Sequence, residues 1–96
     1  MAASPSQTIT FAIWGPIARA DLPGLSQRVC ALLERTGATV AVCDVASIPV
    51  DAVTVDALAR LALVARRRSC SIQLRHASEQ LRDLVAFMGL QDVLAL

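Results

Sequence analysis

The stretch Val40-Ala-Val-Cys-Asp44, followed by Pro49-Val-Asp51-Ala-Val-Thr54-Val-Asp56-Ala-Leu58, decides the fold of this chain. It predicts a buried strand that ends in a carboxylate, then a short loop, then a helix with one apolar face. In open α/β sheets, functional groups collect at the carboxyl ends of strands and at helix N-termini. Asp44, Asp51 and Thr54 are therefore the first candidates for a functional site.

These candidates supply one hydroxyl and two carboxylates, which is not a complete catalytic set. Asp44 is interpreted either as half of an acid pair with Asp51 or as a strand-end residue that bonds loop amides. His76, the single histidine, has no Ser or Cys partner at a suggestive position. The pattern favours a binding or switch module over an enzyme, with no cofactor and no metal.

Outward from this stretch, apolar periodicity predicts the order β-α-β-α-β-α-β. Short connections and right-handed crossovers predict an α/β fold with a small, mostly parallel four-stranded sheet and about three helices. With so few helices, one face of the sheet is expected to be partly uncovered. The predicted strands are Thr8–Trp14, Ala38–Cys43 (central and covered on both faces), Ser71–Arg75 and Val93–Leu96; the helices begin at Asp21, near Asp51 or Ala52, and at Ser78.

Local signals mark the ends of these helices. Asp21 and Ser78 are predicted N-caps, and Gly37 is a predicted C-cap. Gly89-Leu90 fits a Schellman stop. Trp14, directly before Gly15-Pro16, is interpreted either as a cover of the core or as an exposed contact residue.

Composition excludes several classes of protein. The 96 residues are enough for one domain, and a net charge of +1 offers no electrostatic case for nucleic acid. No apolar run approaches the roughly 18 residues that a membrane span needs. Residues 1–7 lack the features of a secretory signal. We therefore expect a disordered lead over 1–7, a single domain over 8–96 and a cytoplasmic location.

Arginine and cysteine usage leaves two interpretations open in each case. All nine basic residues are Arg, which indicates either bidentate recognition of anions or codon bias in a GC-rich genome. Arg66, Arg67 and Arg68 either complement the helix dipole or form a phosphate-binding cluster. The three cysteines match no zinc spacing, which favours reduced, buried thiols over a redox role.

Three segments in this order resemble the STAS domain, the sulfate-transporter and anti-sigma-factor-antagonist fold. Gly15-Pro16-Ile17 with Ala20-Asp21-Leu22 resembles the family's Gly-x-Leu-Asp segment. Val42-Cys43-Asp44-Val45 resembles its Leu-Asp-Leu strand end. Asp51-Ala-Val-Thr-Val-Asp-Ala-Leu58 stands where the family has Asp-Ser-Ser-Gly-Leu-x-Ala-Leu. The resemblance covers roughly Ile9 to Leu96.

The resemblance implies a bacterial signalling module that regulates transcription. Such an anti-sigma-factor antagonist binds an anti-sigma factor that is also a serine-protein kinase, and phosphorylation of the second Ser breaks the complex because it adds charge to the contact surface. Here Val53 replaces that Ser. Control by phosphorylation is therefore expected to be lost or moved to Thr54, which is otherwise interpreted as a residue that caps the start of the helix.

The expected partner-binding surface combines the Asp51–Arg60 segment with the Gly15–Arg19 loop. Its predicted residues are Asp51, Ala52, Val53, Asp56, Arg60, Gly15 and Arg19, with Asp44 as a strand-end acid. The apolar Val93–Leu96 strand and the uncovered sheet face favour a homodimer. The alternative function is a small-ligand sensor or scaffold module that binds a nucleotide or an apolar molecule without phospho-switching.

Overall fold

The computed structural model describes residues 8–94, so the predicted lead over 1–7 lies outside the described residues. Three strands and three helices alternate along the chain, which confirms the α/β class. The strands are β1 (Thr8–Ala12), β2 (Val40–Asp44) and β3 (Ser71–Arg75), and the helices are α1 (Leu22–Thr36), α2 (Ala52–Arg67) and α3 (Glu79–Phe87). A 3₁₀ turn at Arg19–Asp21 leads into α1.

The strands form one parallel sheet in the order β1-β2-β3. Thr10 lies beside Val42, and Val42 lies beside Gln73, which defines one row of the sheet. Because both crossovers step in the same direction across the sheet, right-handed connections place α1 and α2 on the same face.

The two faces of the sheet differ in burial. Ala41 and Cys43 of β2 point toward the helices and are fully buried, together with Ile72 of β3. The opposite face carries exposed Thr10 and Gln73 on the edge strands. Side chains at Val40, Val42 and Asp44 of the central strand are only half-buried. The prediction that the central strand is covered on both faces was therefore wrong, while the uncovered face was expected correctly.

The core lies between the sheet and the helical layer. Helix α2 contributes more buried residues than any other element because its apolar side chains occupy more than one stripe, although Leu63 faces solvent. Its buried residues are Thr54, Val55, Ala57, Leu58, Ala59, Leu61, Ala62 and Ala65. Val29 and Leu33 of α1, with Leu81 and Val85 of α3, complete the same cluster.

Most of the predicted helix ends are confirmed. The Ser78 hydroxyl accepts a bond of 3.1 Å from the Leu81 N–H. Gly37 ends α1 with a φ of 64°, and the Leu90 N–H reaches back to the Val85 carbonyl in the Schellman pattern. Asp21 stands at the N-cap position of α1, but its carboxylate accepts from the Ala18 N–H instead of from the first turn of that helix.

The predicted fourth strand is not found within residues 8–94. Val93 and Leu94 lie in a turn whose N–H groups donate to the Leu90 carbonyl, while Ala95 and Leu96 lie outside the described residues. Leu94 is 1% exposed, so this apolar residue enters the core from a turn and needs no strand to be buried. Strand β1 also ends at Ala12, two residues before the predicted end at Trp14.

No helix between Thr8 and Leu94 has both the length and the apolar character needed to cross a bilayer.

Candidate functional site

The loops that follow the three strands meet at one edge of the sheet because parallel strands share the direction of their carboxyl ends. The first loop begins at Ile13, the second runs from Val45 to the start of α2, and the third begins at His76. The structure therefore brings the loop that contains Gly15, the start of α2 and His76 to the same edge of the sheet.

Gly15 and Pro49 join the first two loops. A Cβ added at Gly15 would overlap Cδ of Pro49 and lie 2.8 Å from its Cγ. The Gly15 N–H also points to the Ser47 carbonyl at 3.4 Å. Only a residue without a side chain permits this approach of the two loops.

Asp56 links α2 to the 3₁₀ turn. Its Oδ2 lies 3.1 Å from Nε of Arg60, four residues further along the same helix. The same oxygen lies 3.8 Å from Nη1 of Arg19. One half-exposed carboxylate thus stands between two exposed guanidinium groups from different elements.

The seven residues predicted to contact a partner form what we call the candidate docking surface. All are exposed or half-buried, and the contacts just described hold the two segments together. They are Gly15, Arg19, Asp51, Ala52, Val53, Asp56 and Arg60.

Asp51 begins α2 as its N-cap. Its Oδ1 accepts a bond of 2.8 Å from the Thr54 N–H, which satisfies one of the free N–H groups of the first turn. The Thr54 side chain itself is 0% exposed. Among residues 8–94 its hydroxyl has no hydrogen-bond partner, so the interpretation of Thr54 as a helix cap was wrong.

Asp44 and His76 come together across the ends of β2 and β3. Asp44 Oδ2 lies 3.2 Å from Nδ1 of His76, and Oδ1 accepts from the Ala46 N–H at 3.0 Å. The Ala46 bond, followed by the His76 contact, lowers the pKa of Asp44. Asp44 and Asp51 thus have separate hydrogen-bond partners, which agrees with the interpretation of Asp44 as a strand-end residue that bonds loop amides. The contact between Asp44 and His76 was not predicted.

Two large apolar side chains flank the candidate docking surface. Trp14 is 73% exposed and Val50 is 42% exposed. The structure therefore places Trp14 on the surface and not over the core. Val50 was missed by the sequence analysis. The available signal was its position in a loop, directly before the N-cap residue Asp51.

Three cavities lie mainly outside the candidate docking surface, although Arg60 borders the smallest of the three. One of about 350 Å³ is bordered by Arg66, Ser71 and Val93 at the amino end of β3. Two others, of about 330 and 270 Å³, lie between α1 and α2 beside Arg67. None of these three is lined by Asp44 or Asp51. Within residues 8–94, no three His, Cys, Asp or Glu side chains gather into a metal site.

The cysteines are free thiols. Burial, with Asp44 nearby, raises the pKa of Cys43 to about 12, and burial also raises the pKa of Cys70. Cys30 is half-buried and lies 3.0 Å from Nε of Arg68, whose Nη2 also contacts Glu34 at 2.7 Å. One member of the arginine cluster therefore has local partners.

Comparison with known proteins finds no protein-family model that matches this chain and no curated protein with significant sequence similarity to it.

Proposed function

We propose that this chain is a STAS-like regulatory module of the bacterial cytoplasm. It acts as an anti-sigma-factor antagonist that docks an anti-sigma-factor kinase through the candidate docking surface. The proposal rests on the resemblance of three ordered segments to that family and is supported by the α/β fold, which brings those segments to one edge of the sheet.

The observation that carries the proposal is the shared carboxylate of Asp56. Arg19 and Arg60 approach it from different elements, so charged groups of both predicted segments belong to one surface. Trp14 and Val50 beside that surface supply exposed apolar area. An apolar anchor next to charged groups is the usual composition of a protein interface, in which a few aromatic and Arg residues carry most of the binding energy.

The module binds without a phosphorylation switch. Val53 stands at the position of the family's phosphoacceptor and has no hydroxyl. Thr54, the neighbouring hydroxyl, is 0% exposed, and its N–H is held by Asp51. A kinase would have to unwind the first turn of α2 to reach it. We therefore favour loss of phosphorylation over a move of the phosphate to Thr54.

Calorimetric titration against each anti-sigma-factor kinase of the source genome tests the proposal. We expect one of them to bind, and Trp14→Ala and Asp56→Ala each to weaken that binding by about tenfold or more. Arg67→Ala is the matched control because Arg67 is an exposed arginine of the same helix outside the candidate docking surface. Binding of none of these kinases, or equal losses in the control, would refute the docking proposal.

Incubation of the complex with ATP and magnesium, followed by mass spectrometry of the intact chain, tests the missing switch. We expect no added phosphate and no release of the partner. Stoichiometric phosphate at any residue would show that the switch has been kept.

A further inference from the structure

Strand β1 forms an outer edge of the sheet. The Ile13 N–H donates to the Asp44 carbonyl, and backbone groups alternate in direction along a strand. Ile9 and Phe11 therefore direct their N–H and C=O groups toward β2, while Thr8, Thr10 and Ala12 direct theirs away from the sheet. No strand within residues 8–94 pairs with these outward groups.

The residues of β1 include none of the types that usually protect an edge strand against pairing. Natural edge strands carry charges, proline or bulges that prevent association with another chain. Strand β1 reads Thr-Ile-Thr-Phe-Ala and contains no charged residue and no proline. The opposite edge strand, β3, carries Arg75, and the turn at Gln91–Val93 borders the same cavity as Ser71 and Ile72.

Two apolar side chains of β1 also remain partly exposed at this edge. Ala41 and Cys43 on the central strand are 0% exposed, but their neighbours on β1, Ile9 and Phe11, are only half-buried on the same helix-covered face. A further strand at the edge would bury the remaining area of both side chains.

We propose that β1 pairs in antiparallel fashion with β1 of a second copy of this chain, which extends the sheet across a two-fold dimer. The register that uses all the outward groups is centred on Thr10. It places Thr10 opposite Thr10, and Thr8 opposite Ala12, as pairs that exchange two N–H···O bonds each.

The same register matches the side chains. Ile9 of one copy lies opposite Phe11 of the other in a non-hydrogen-bonded pair, where side chains approach most closely. A β-branched residue facing an aromatic one is a favourable cross-strand pair. Because β1 has no charge, the paired strands themselves bring no like charges together. A two-fold axis perpendicular to the sheet keeps both helical layers on one side.

The interface contains none of the seven residues of the candidate docking surface. It consists of one strand pair and the side chains beside it, which is small for a protein interface. We expect a dissociation constant on the order of 10 µM, and hence a dimer that dissociates on dilution.

Sedimentation velocity over a concentration series that brackets this value tests the proposal. Thr10→Lys places two ammonium groups directly opposite each other at the two-fold axis, and we expect it to weaken dimerisation by about tenfold or more. Gln73→Lys is the matched control. Gln73 is exposed in the same row as Thr10 and on the same face of the sheet, but it lies on the other edge strand. We therefore expect the Gln73→Lys variant to dimerise like the unmodified chain.

A second measurement does not depend on loss of association. Opposed Thr10 residues would lie about 5.5 Å apart at Cα, which is within the range of a disulfide. In a Cys30→Ser background, we expect Thr10→Cys to cross-link into a dimer on oxidation, while Gln73→Cys does not.

Three outcomes would overturn the proposal. The first is a chain that stays monomeric at every concentration. Slow hydrogen exchange of the Thr10 amide in such a monomer would indicate that residues 1–7 of the same chain pair with the edge instead. The second is a dimer that Gln73→Lys weakens as much as Thr10→Lys. The third is a dimer that neither variant weakens and that Thr10→Cys does not cross-link.

Discussion

Gly15 lies so close to the ring of Pro49 that any side chain at position 15 would collide with it. This approach connects the loop after β1 with the loop that leads into α2. Trp14 directly precedes Gly15, and Asp51 follows Pro49 by two residues. The position of Trp14 relative to Asp51 therefore depends on the glycine at position 15.

Gly15→Ala is expected to lower the free energy of unfolding by about 2 kcal/mol, because the added methyl group overlaps a rigid proline ring and the loops must move apart. Gly24→Ala is the control. Gly24 lies inside α1, where an added Cβ meets only the end of the Arg28 side chain at 3.7 Å, and it should gain about 0.5–1 kcal/mol of stability. Urea denaturation measures both. A neutral Gly15→Ala variant would mean that the two loops are free to separate.

Asp51→Ala should cost about 1 kcal/mol of stability because it removes the side-chain bond to the Thr54 N–H. Asp51→Ser keeps an acceptor at the N-cap, so its stability should be close to that of the unmodified chain. If the charge of Asp51 contacts a partner, both variants bind the partner more weakly.

Ser78→Ala separates these two effects. It removes the equivalent bond at α3 and should cost a similar amount of stability with no loss of binding. Weak binding by Ser78→Ala would show that reduced stability alone explains the effect of changing Asp51.

Thr54→Val is expected to be neutral or to raise the free energy of unfolding by about 1 kcal/mol. The hydroxyl is buried and has no hydrogen-bond partner in the part of the chain that the structure describes, and valine replaces it with a methyl group of similar shape. Thr54→Ser keeps the hydroxyl and removes a buried methyl group, so it should cost about 1 kcal/mol. Thermal and urea unfolding of both variants tests this. A clear loss of stability in Thr54→Val would mean that the hydroxyl makes a hydrogen bond.

Acid should weaken the fold partly through Asp44. Its pKa in the folded chain is below the ordinary value of 3.8, mainly because of the Ala46 N–H bond and then the His76 contact. A lowered pKa means that the folded state favours the carboxylate. The resulting stability is complete above the ordinary pKa and is lost as the pH falls through the folded value.

Asp44→Asn should therefore flatten the dependence of stability on pH below about pH 4. Urea midpoints measured for both chains between about pH 2 and 5 provide the comparison. An unchanged slope below pH 4 would show that Asp44 contributes nothing to the acid sensitivity.

Features set by neighbouring residues could be predicted from the sequence alone. The acceptor bonds of Asp51 and Ser78 and the left-handed turn at Gly37 each depend on atoms within about one helical turn. The Asp56–Arg60 pair is local in the same way. The predicted edge strand at Val93–Leu96 was a local signal too, but apolar content alone does not distinguish a strand from a buried turn.

Features that depend on contacts between distant segments were decided only by the tertiary structure. The sequence determined the alternating order of strands and helices, because apolar periodicity and turn residues act locally. Folding decided that Trp14 faces solvent, that Thr54 is sealed in the core, and that Arg19 reaches Asp56. The burial of a side chain depends on which other elements pack against it, and that information is spread over the whole chain.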